Sequence, residues 1–561
     1  MRTTGLLPVP VLLLFCLHFS PLTAQTPVAE LDLIIEGGRV IDGTGNPWFY
    51  GDVGIRGQRI VAVTPGGGLR GTPALRRLDA RGHVVAPGFI DIQSHSRNAI
   101  LDGDGLVVSK VTQGITTEIM GEAATNAPQN ERTGGSGQHD FTGQHGFAHW
   151  LETMSRNGAA VNFGSFVGAT TVRMYAKGMA QGAATPAELD TMRAVVRNAM
   201  EDGAFGLGSA LIYPPGNYAS TEELTELAKA MAPYHGVYIT HMRSEADAWL
   251  EAIDEALRIG RDGGVPVEIF HLKAGGRRNW SKMDAVIAKI DSARAAGQDV
   301  QANMYLYVAG GTGLSACLPP WASADGKLLE NLQDPPTRRR IRADMDRVQS
   351  EWENLCQLAT PEGVLLLGLR KPETQQFIGK RLGEVARTMD LPWQEAIMDL
   401  LVAERQRIGT IYFMMSEENI AKQLRQPWIK FGTDAGGEDP TQATGMVHPR
   451  SYGNFPRLLG KYVREEGVIP LEDAIRKASS AVASRLSLTD RGILRPGMYA
   501  DIVVFDPETV SDRATFETPH QLSVGIRDVF VNGVAVVRDG VHTGAKPGMI
   551  VRGPGYRGTS R

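Results

Sequence analysis

A chain of 561 residues, at roughly 100 to 200 per domain, has room for three to five ordinary domains or for one large α/β barrel with attachments. Hydrophobic residues at 42% and charged residues at 21% exclude a disordered, collagenous or coiled-coil chain. The 58 Lys and Arg against 62 Asp and Glu leave a net charge of -4, which excludes the whole-chain basic excess that a nucleic-acid partner would call for.

The first element in chain order is a targeting segment. Arg2, the apolar run Val11 to Phe15, and Leu22-Thr23-Ala24 before Gln25 predict a secretory signal peptide over 1–24, cut after Ala24. The run is short and preceded by Pro8 and Pro10, whereas a membrane span needs about 20 apolar residues. Cys16 leaves with this segment, so the mature chain keeps Cys317 and Cys356, enough for one bridge in an oxidising compartment but not for a disulfide scaffold. No later stretch is long and apolar enough to span a membrane, so the expectation is a soluble protein, periplasmic or secreted, without a membrane partner.

Residues 25–86 read as short alternating strands around Leu33 to Ile35, Arg39 to Ile41, Asp52 to Ile55 and Ile60 to Val63. The same texture returns within 486–561, in Ala500 to Phe505 and Val529 to Gly533, and predicts one small β domain assembled from both ends. The middle, 87–485, alternates buried-looking strands with helical patterns, the mark of βα units. Its candidate strands are Val84 to Ile92, Gly114 to Met120, Asn162 to Val167, Gly203 to Leu211, Val237 to Thr240, Val265 to Phe270, Val300 to Tyr307 and Trp428 to Thr433, which suit a (β/α)8 barrel of the TIM type. Apolar residues at three- and four-residue spacing predict helices between Thr221 and Ala232 and between Glu245 and Gly260. Residues 318–425 are too long for one connection and read as a mostly helical insertion, with Arg338, Arg339, Arg340 and Arg342 on a solvated helix face.

Catalytic residues of such barrels project from the C-terminal ends of the strands. His95, Glu122, His241, His271 and Asp434 all fall at those ends. Imidazoles and carboxylates gathered there suit zinc, with an open coordination position for a hydrolytic water.

Tyr213-Pro214-Pro215-Gly216, Thr240-His241-Met242-Arg243, His271-Leu272-Lys273 and His448-Pro449-Arg450-Ser451-Tyr452-Gly453 together resemble the N-acyl-D-amino-acid deacylases (D-aminoacylases) of the amidohydrolase superfamily. The likeness runs from about residue 31 to about residue 552 and includes Ile41 to Gly45, Gly313 to Ser315, Leu318 to Trp321 and Arg495 to Asp501. It implies zinc-dependent hydrolysis of the amide bond of an N-acyl-D-amino acid, a small-molecule substrate, to a carboxylate and a free D-amino acid. By the same resemblance His241 and His271 are ligands of the main metal, and Asp434 is the base that moves a proton from water to the leaving nitrogen. Lys273, Arg450, Tyr213 and Tyr305 match positions that hold the substrate.

Two departures stand out. The family pattern after Pro-Gly-Phe-Ile-Asp carries His-x-His, and this chain has Gln93-Ser94-His95, so an amide replaces the first imidazole and the expectation is one tightly bound zinc with at most a weak second site at His95. Where relatives often carry Asn-Cys-Gly this chain has Gly121-Glu122-Ala123, which puts Glu122 on the thiolate position as an oxygen ligand. Competing readings are an amidohydrolase acting on another amide, such as a cyclic ureide or a dipeptide, and a non-catalytic binding protein with a decayed metal site.

Overall fold

The computed structural model describes residues 1, 30–134, 138–348, 351–405 and 407–558. The expected signal peptide lies outside the described residues, apart from Met1. Among the described residues no helix is long and apolar enough to cross a membrane.

Eight parallel strands follow one another edge to edge: Phe89–Asp91, Ile115–Met120, Asn162–Ser165, Gly206–Ala210, Val237–His241, Val267–Ile269, Val300–Met304 and Ile429–Phe431. The third strand continues past Phe166 as Val167–Gly168, and this continuation pairs with the fourth strand through Leu207 and Val167. The ring closes between the eighth and first strands, where Ser94 and Ala435 form a parallel bridge. All eight expected strands are present, most of them shorter than their apolar runs, because the residues beyond each strand end leave the ladder to form the loops of the site.

One expected strand splits in two. Val84–Pro87 pairs with Leu31–Val40 and Ile502–Phe505, whereas Phe89–Asp91 opens the barrel. Gly88 N donates to Asp501 O at 2.9 Å and Phe89 N to Gly114 O at 3.0 Å, so the hand-over between sheets takes a single residue step. A Cβ on Gly88 would lie 2.2 Å from the Thr116 side chain, so only glycine fits there.

The terminal sheet confirms the pairing of the two chain ends. Its order is Val541–His542, Val534–Arg538, Ile526–Val531, Ile502–Phe505, Val84–Pro87, Leu31–Val40, Phe49–Arg56 and Arg59–Pro65, with Ala74–Asp79 added on Leu31–Val40. The last residues depart from the expected division at 486–561: Phe163 N donates to Met549 O and Val551 N to Phe163 O, so this segment lies along the third barrel strand.

Helix Thr221–Met231 starts at Ser220, whose side chain accepts from Glu223 N. The next helix runs Trp249–Gly263 and ends at Gly264 with φ +68°. It begins four residues later than its apolar spacing suggests, because Glu245 is drawn into the site instead.

The insertion is not simply helical. Two of its strands, Gly409–Phe413 and Val364–Leu366, form a three-stranded antiparallel sheet with Ala309–Gly313, which precedes it. A disulfide ties Cys356 of the insertion to Cys317 just before it. On the arginine-rich helix Pro335–Asp346 Arg339 and Arg340 are exposed, as expected of a solvated face, whereas Arg338 Nη2 lies 2.6 Å from both Glu395 and Asp399, and the Arg340 guanidinium sits 4.0 Å from the centre of the Trp321 ring.

Candidate metal centre

The residues that end the barrel strands converge. Glu122 Oε1 lies 3.3 Å from His241 Nδ1 and 3.3 Å from His271 Nε2. Donor atoms held about 2.0 to 2.2 Å from one tetrahedral ion stand roughly 3.4 Å apart. Two imidazoles and a carboxylate at this spacing therefore fit a catalytic zinc and leave a fourth position open. All three lie in the wall of a cavity of about 140 Å³. Burial opposes the charge on Glu122, but the facing imidazoles of His271, His241 and His95 outweigh it and hold its carboxyl well below the usual range.

The other oxygen, Glu122 Oε2, faces a second group. His95 Nε2 lies 3.4 Å from it and 2.9 Å from Asp434 Oδ1. Gln93, which stands where the family pattern has an imidazole, donates its Nε2 to Glu122 Oε2 at 2.6 Å. The amide thus occupies the oxygen that a second cation would need. His95, Glu122 and Asp434 remain close enough to one another to hold a cation, without an imidazole from position 93.

Backbone supports place these groups. Asp434 has φ +49°, and its N–H donates to Gln93 O at 2.8 Å. On either side of it, Thr433 Oγ1 and Ala435 O receive the buried Lys110 ammonium at 2.6 and 2.7 Å. Lys110 is in turn neutralised by Asp91 at 2.9 Å and Glu118 at 3.0 Å. Left-handed backbone costs of order 1 kcal/mol for a non-glycine residue, and this network holds it in place. His271 is also left-handed, at φ +33°, with its N–H donating to Asn303 Oδ1 at 2.9 Å.

Glu245, which the motifs do not single out, packs behind both imidazoles. Its Oε1 is 3.0 Å from His271 Nδ1, and its Oε2 is 3.5 Å from His241 Nε2. Lys273 Nζ reaches both oxygens of Glu245 at 2.6 Å, so its charge is already met. Burial and the Lys273 ammonium act to lower His271, yet Glu245 and Glu122 outweigh them and push it up to about 9. Glu245 falls four residues after His241, outside any strand end, and its only sequence cue is that it follows a motif histidine.

Arg450 Nη1 lies 2.7 Å from Asp434 Oδ2, and its guanidinium is 4.4 Å from the centre of the Tyr305 ring. Burial would raise Asp434, but the Arg450 charge leads the groups that lower its carboxyl below the ordinary value. Arg450 Nε is buried without a hydrogen-bond partner. Tyr213 donates to Thr312 Oγ1 at 2.9 Å and packs edge-on to His241, and burial pushes both Tyr213 and Tyr305 up, so both phenols stay neutral. The structure therefore brings together every expected site residue, and adds Glu245, Thr312 and Arg407 to the cavity wall.

Comparisons with known proteins agree with this geometry. An amidohydrolase family model matches residues 366–537. The chain is 34% identical to the D-aminoacylase of Alcaligenes xylosoxydans xylosoxydans over 534 residues, 94% of this chain and 99% of that protein. It is 35% identical to an N-acyl-D-glutamate deacylase of the same organism over 531 residues, 93% of this chain and 97% of that one. A crystal structure of a D-aminoacylase superposes with a TM-score of 0.77 at 34% identity, covering 93% of this chain and all of that one. The N-acyl-D-glutamate deacylase of Bordetella bronchiseptica, complexed with zinc and a phosphonate mimic of the tetrahedral intermediate, superposes with a TM-score of 0.77 at 31% identity over the same shares. By identity along nearly the whole chain, and by a barrel carrying its polar cluster at the strand ends, this protein belongs to the D-aminoacylase family of amidohydrolases.

Proposed function

We propose that the protein is a zinc-dependent deacylase that hydrolyses the amide bond of N-acyl-D-amino acids. The observation that carries this reading is the convergence of Glu122, His241 and His271 under a cavity that also holds Asp434. Zinc bound by these three residues supplies Lewis acidity that polarises water and the scissile acyl carbonyl.

The chain's own groups do the rest. Asp434, kept ionised beside Arg450, takes the proton from the attacking water and passes it to the leaving nitrogen. Glu245 accepts the Nδ1 proton of His271 and thereby turns Nε2 toward the cluster. Arg450, with its unpartnered Nε, and the neutral hydroxyls of Tyr213 and Tyr305 receive the substrate's α-carboxylate, while Lys273 holds Glu245 beside them. Gln93 keeps the centre to one tightly held zinc, with His95 available to a weak second site.

The signal-like segment 1–24 and the Cys317–Cys356 disulfide support a periplasmic or secreted location. The purified protein should contain about one zinc per chain and turn over N-acetyl-D-amino acids in preference to their L forms. Turnover of hydantoins in place of N-acyl-D-amino acids would transfer the reading to cyclic ureides, and a protein without zinc or turnover would overturn it.

A further inference from the structure

Glu245 sits on neither a strand nor a helix, yet its carboxylate backs both imidazoles of the cluster. Its backbone is tied down from outside its own loop. Glu245 N donates to Glu353 Oε1 at 2.6 Å, and Glu245 O accepts from Gly275 N at 2.7 Å. The same Glu353 oxygen accepts from Ser244 Oγ at 2.6 Å. Ser244 Oγ in turn accepts from Ala246 N and Ala248 N at 3.2 Å each, so the turn runs directly into helix Trp249–Gly263. One carboxyl oxygen of the insertion therefore fixes two successive residues of the turn that aims Glu245.

Glu353 is itself firmly held. The next residue, Asn354, accepts from Cys356 N at 3.1 Å and from Gln357 N at 3.2 Å, and so starts helix Leu355–Ala359. Its Nδ2 donates to Met345 O at 3.3 Å. Cys356 is bridged to Cys317, and Leu355 lines the catalytic cavity. Ser244 and Glu245 are only 5% and 4% exposed, so bulk water would not replace an acceptor that they lost. Burial and then the Glu245 charge push the Glu353 carboxyl up to about 7, and glutamine copies the shape of its protonated form.

We propose that Glu353 is a positioning residue of the metal centre: by accepting from Ser244 and Glu245 it sets the Glu245 carboxylate against His271 and His241, and it acts on the reaction only through them. The proposal rests on the deacylase reading above and goes beyond it by giving the insertion a part in holding the metal. The path is short. Glu245 Oε1 lies 3.0 Å from His271 Nδ1, and His271 Nε2 faces Glu122 at 3.3 Å. Both donors to Glu353 are neutral, so the role needs an acceptor and not a charge. Outer partners of ligating imidazoles fix ring orientation, and their loss typically costs roughly 10- to 100-fold in metal affinity or activity.

The test uses wild type, Glu353→Gln, Glu353→Asp and Glu353→Leu. It measures zinc affinity by chelator competition, and kcat and KM at saturating zinc on the N-acetyl-D-amino acid that wild type turns over fastest. Glu353→Leu removes the acceptor at similar size; it should weaken zinc and lower kcat by about 10-fold each, with KM changed by less than about 3-fold. Glu353→Gln keeps the acceptor and should stay within about 3-fold of wild type in both, whereas Glu353→Asp, one methylene short, should fall between. If Glu353→Leu gives no folded protein, the Asp and Gln variants carry the same comparison. Leu and Asp variants with a lowered thermal midpoint but wild-type zinc affinity and kcat would overturn the positioning role, and so would a Gln variant that loses as much as they do. A wild type without zinc or turnover would sink the deacylase reading and this proposal together, whereas variants that match an active wild type would sink this proposal alone.

Discussion

Glu122 has two oxygens with different duties. Oε1 faces His241 and His271, whereas Oε2 accepts from Gln93. Removing an imidazole and removing a base should therefore look different. His241→Ala or His271→Ala should lose zinc and activity together, because two remaining protein ligands cannot hold the ion against water. Asp434→Asn should keep its zinc while kcat drops by roughly 10² to 10⁴, the usual contribution of a general base; zinc lost in step with activity would make Asp434 a ligand instead. Gln93→His replaces a donor to Glu122 by a ligand beside His95. It should raise tightly held zinc from about one to about two per chain by elemental analysis after dialysis, and a count that stays at one would show that the amide does not limit the second site.

Among the elements, the insertion does more than lengthen a connection. Its strand Gly409–Phe413 backs the cavity-wall strand Ala309–Gly313, and its Glu353 accepts from Ser244 Oγ and Glu245 N at 2.6 Å each, on the loop that carries Glu245. Burial, with the Glu245 charge adding to it and Lys273 opposing it, pushes the Glu353 carboxyl from its ordinary 4.5 up to about 7. The folded protein thus holds this proton more tightly than the unfolded chain does. That stabilisation is complete below about pH 4.5 and is lost as pH rises through about 7. One pKa unit corresponds to about 1.4 kcal/mol, so the loss amounts to a few kcal/mol at most. Glu353→Gln should flatten the fall in thermal midpoint between pH 5 and pH 8. A variant whose midpoint follows wild type at both values would remove Glu353 from the stability balance.

At the scale of the molecule, the terminal sheet and the barrel are one cooperative object. Arg491 pairs with Asp501. Asp501 accepts from Asn162 at the start of the third barrel strand at 3.1 Å, and Asn162 Oδ1 accepts from Asn532 at 2.7 Å. The polar seam buries these groups only because both domains supply partners. A chain ending at residue 485 would uncover Val84–Pro87 and strand Asn162 without Asp501 and Asn532. It should fail to give soluble protein with a cooperative thermal transition. A soluble, cooperatively folding product would show that the barrel stands alone.

The order of the eight strands, the pairing of the two termini and the strand-end positions of His95, Glu122, His241, His271 and Asp434 were legible in the sequence. Each depends on local rules, namely apolar runs of strand length, Gly-rich breaks, and polar residues that directly follow a buried run. The break at Gly88 was not legible, since Pro87-Gly88 interrupts a continuous apolar stretch and only the neighbouring strands decide which sheet each half joins. Nor was the sheet that the insertion forms with Ala309–Gly313, whose strands lie tens of residues apart. Glu245 and Lys110 became visible only in three dimensions. Their chemistry depends on which charges surround them: both are neutralised by partners brought in by other segments. The sequence determined the metal-suited ligand types at the strand ends, and its resemblance to the D-aminoacylases implied the reaction class. Tertiary structure decided which charges are paired and with what, because charge compensation is a property of neighbours in space and not along the chain.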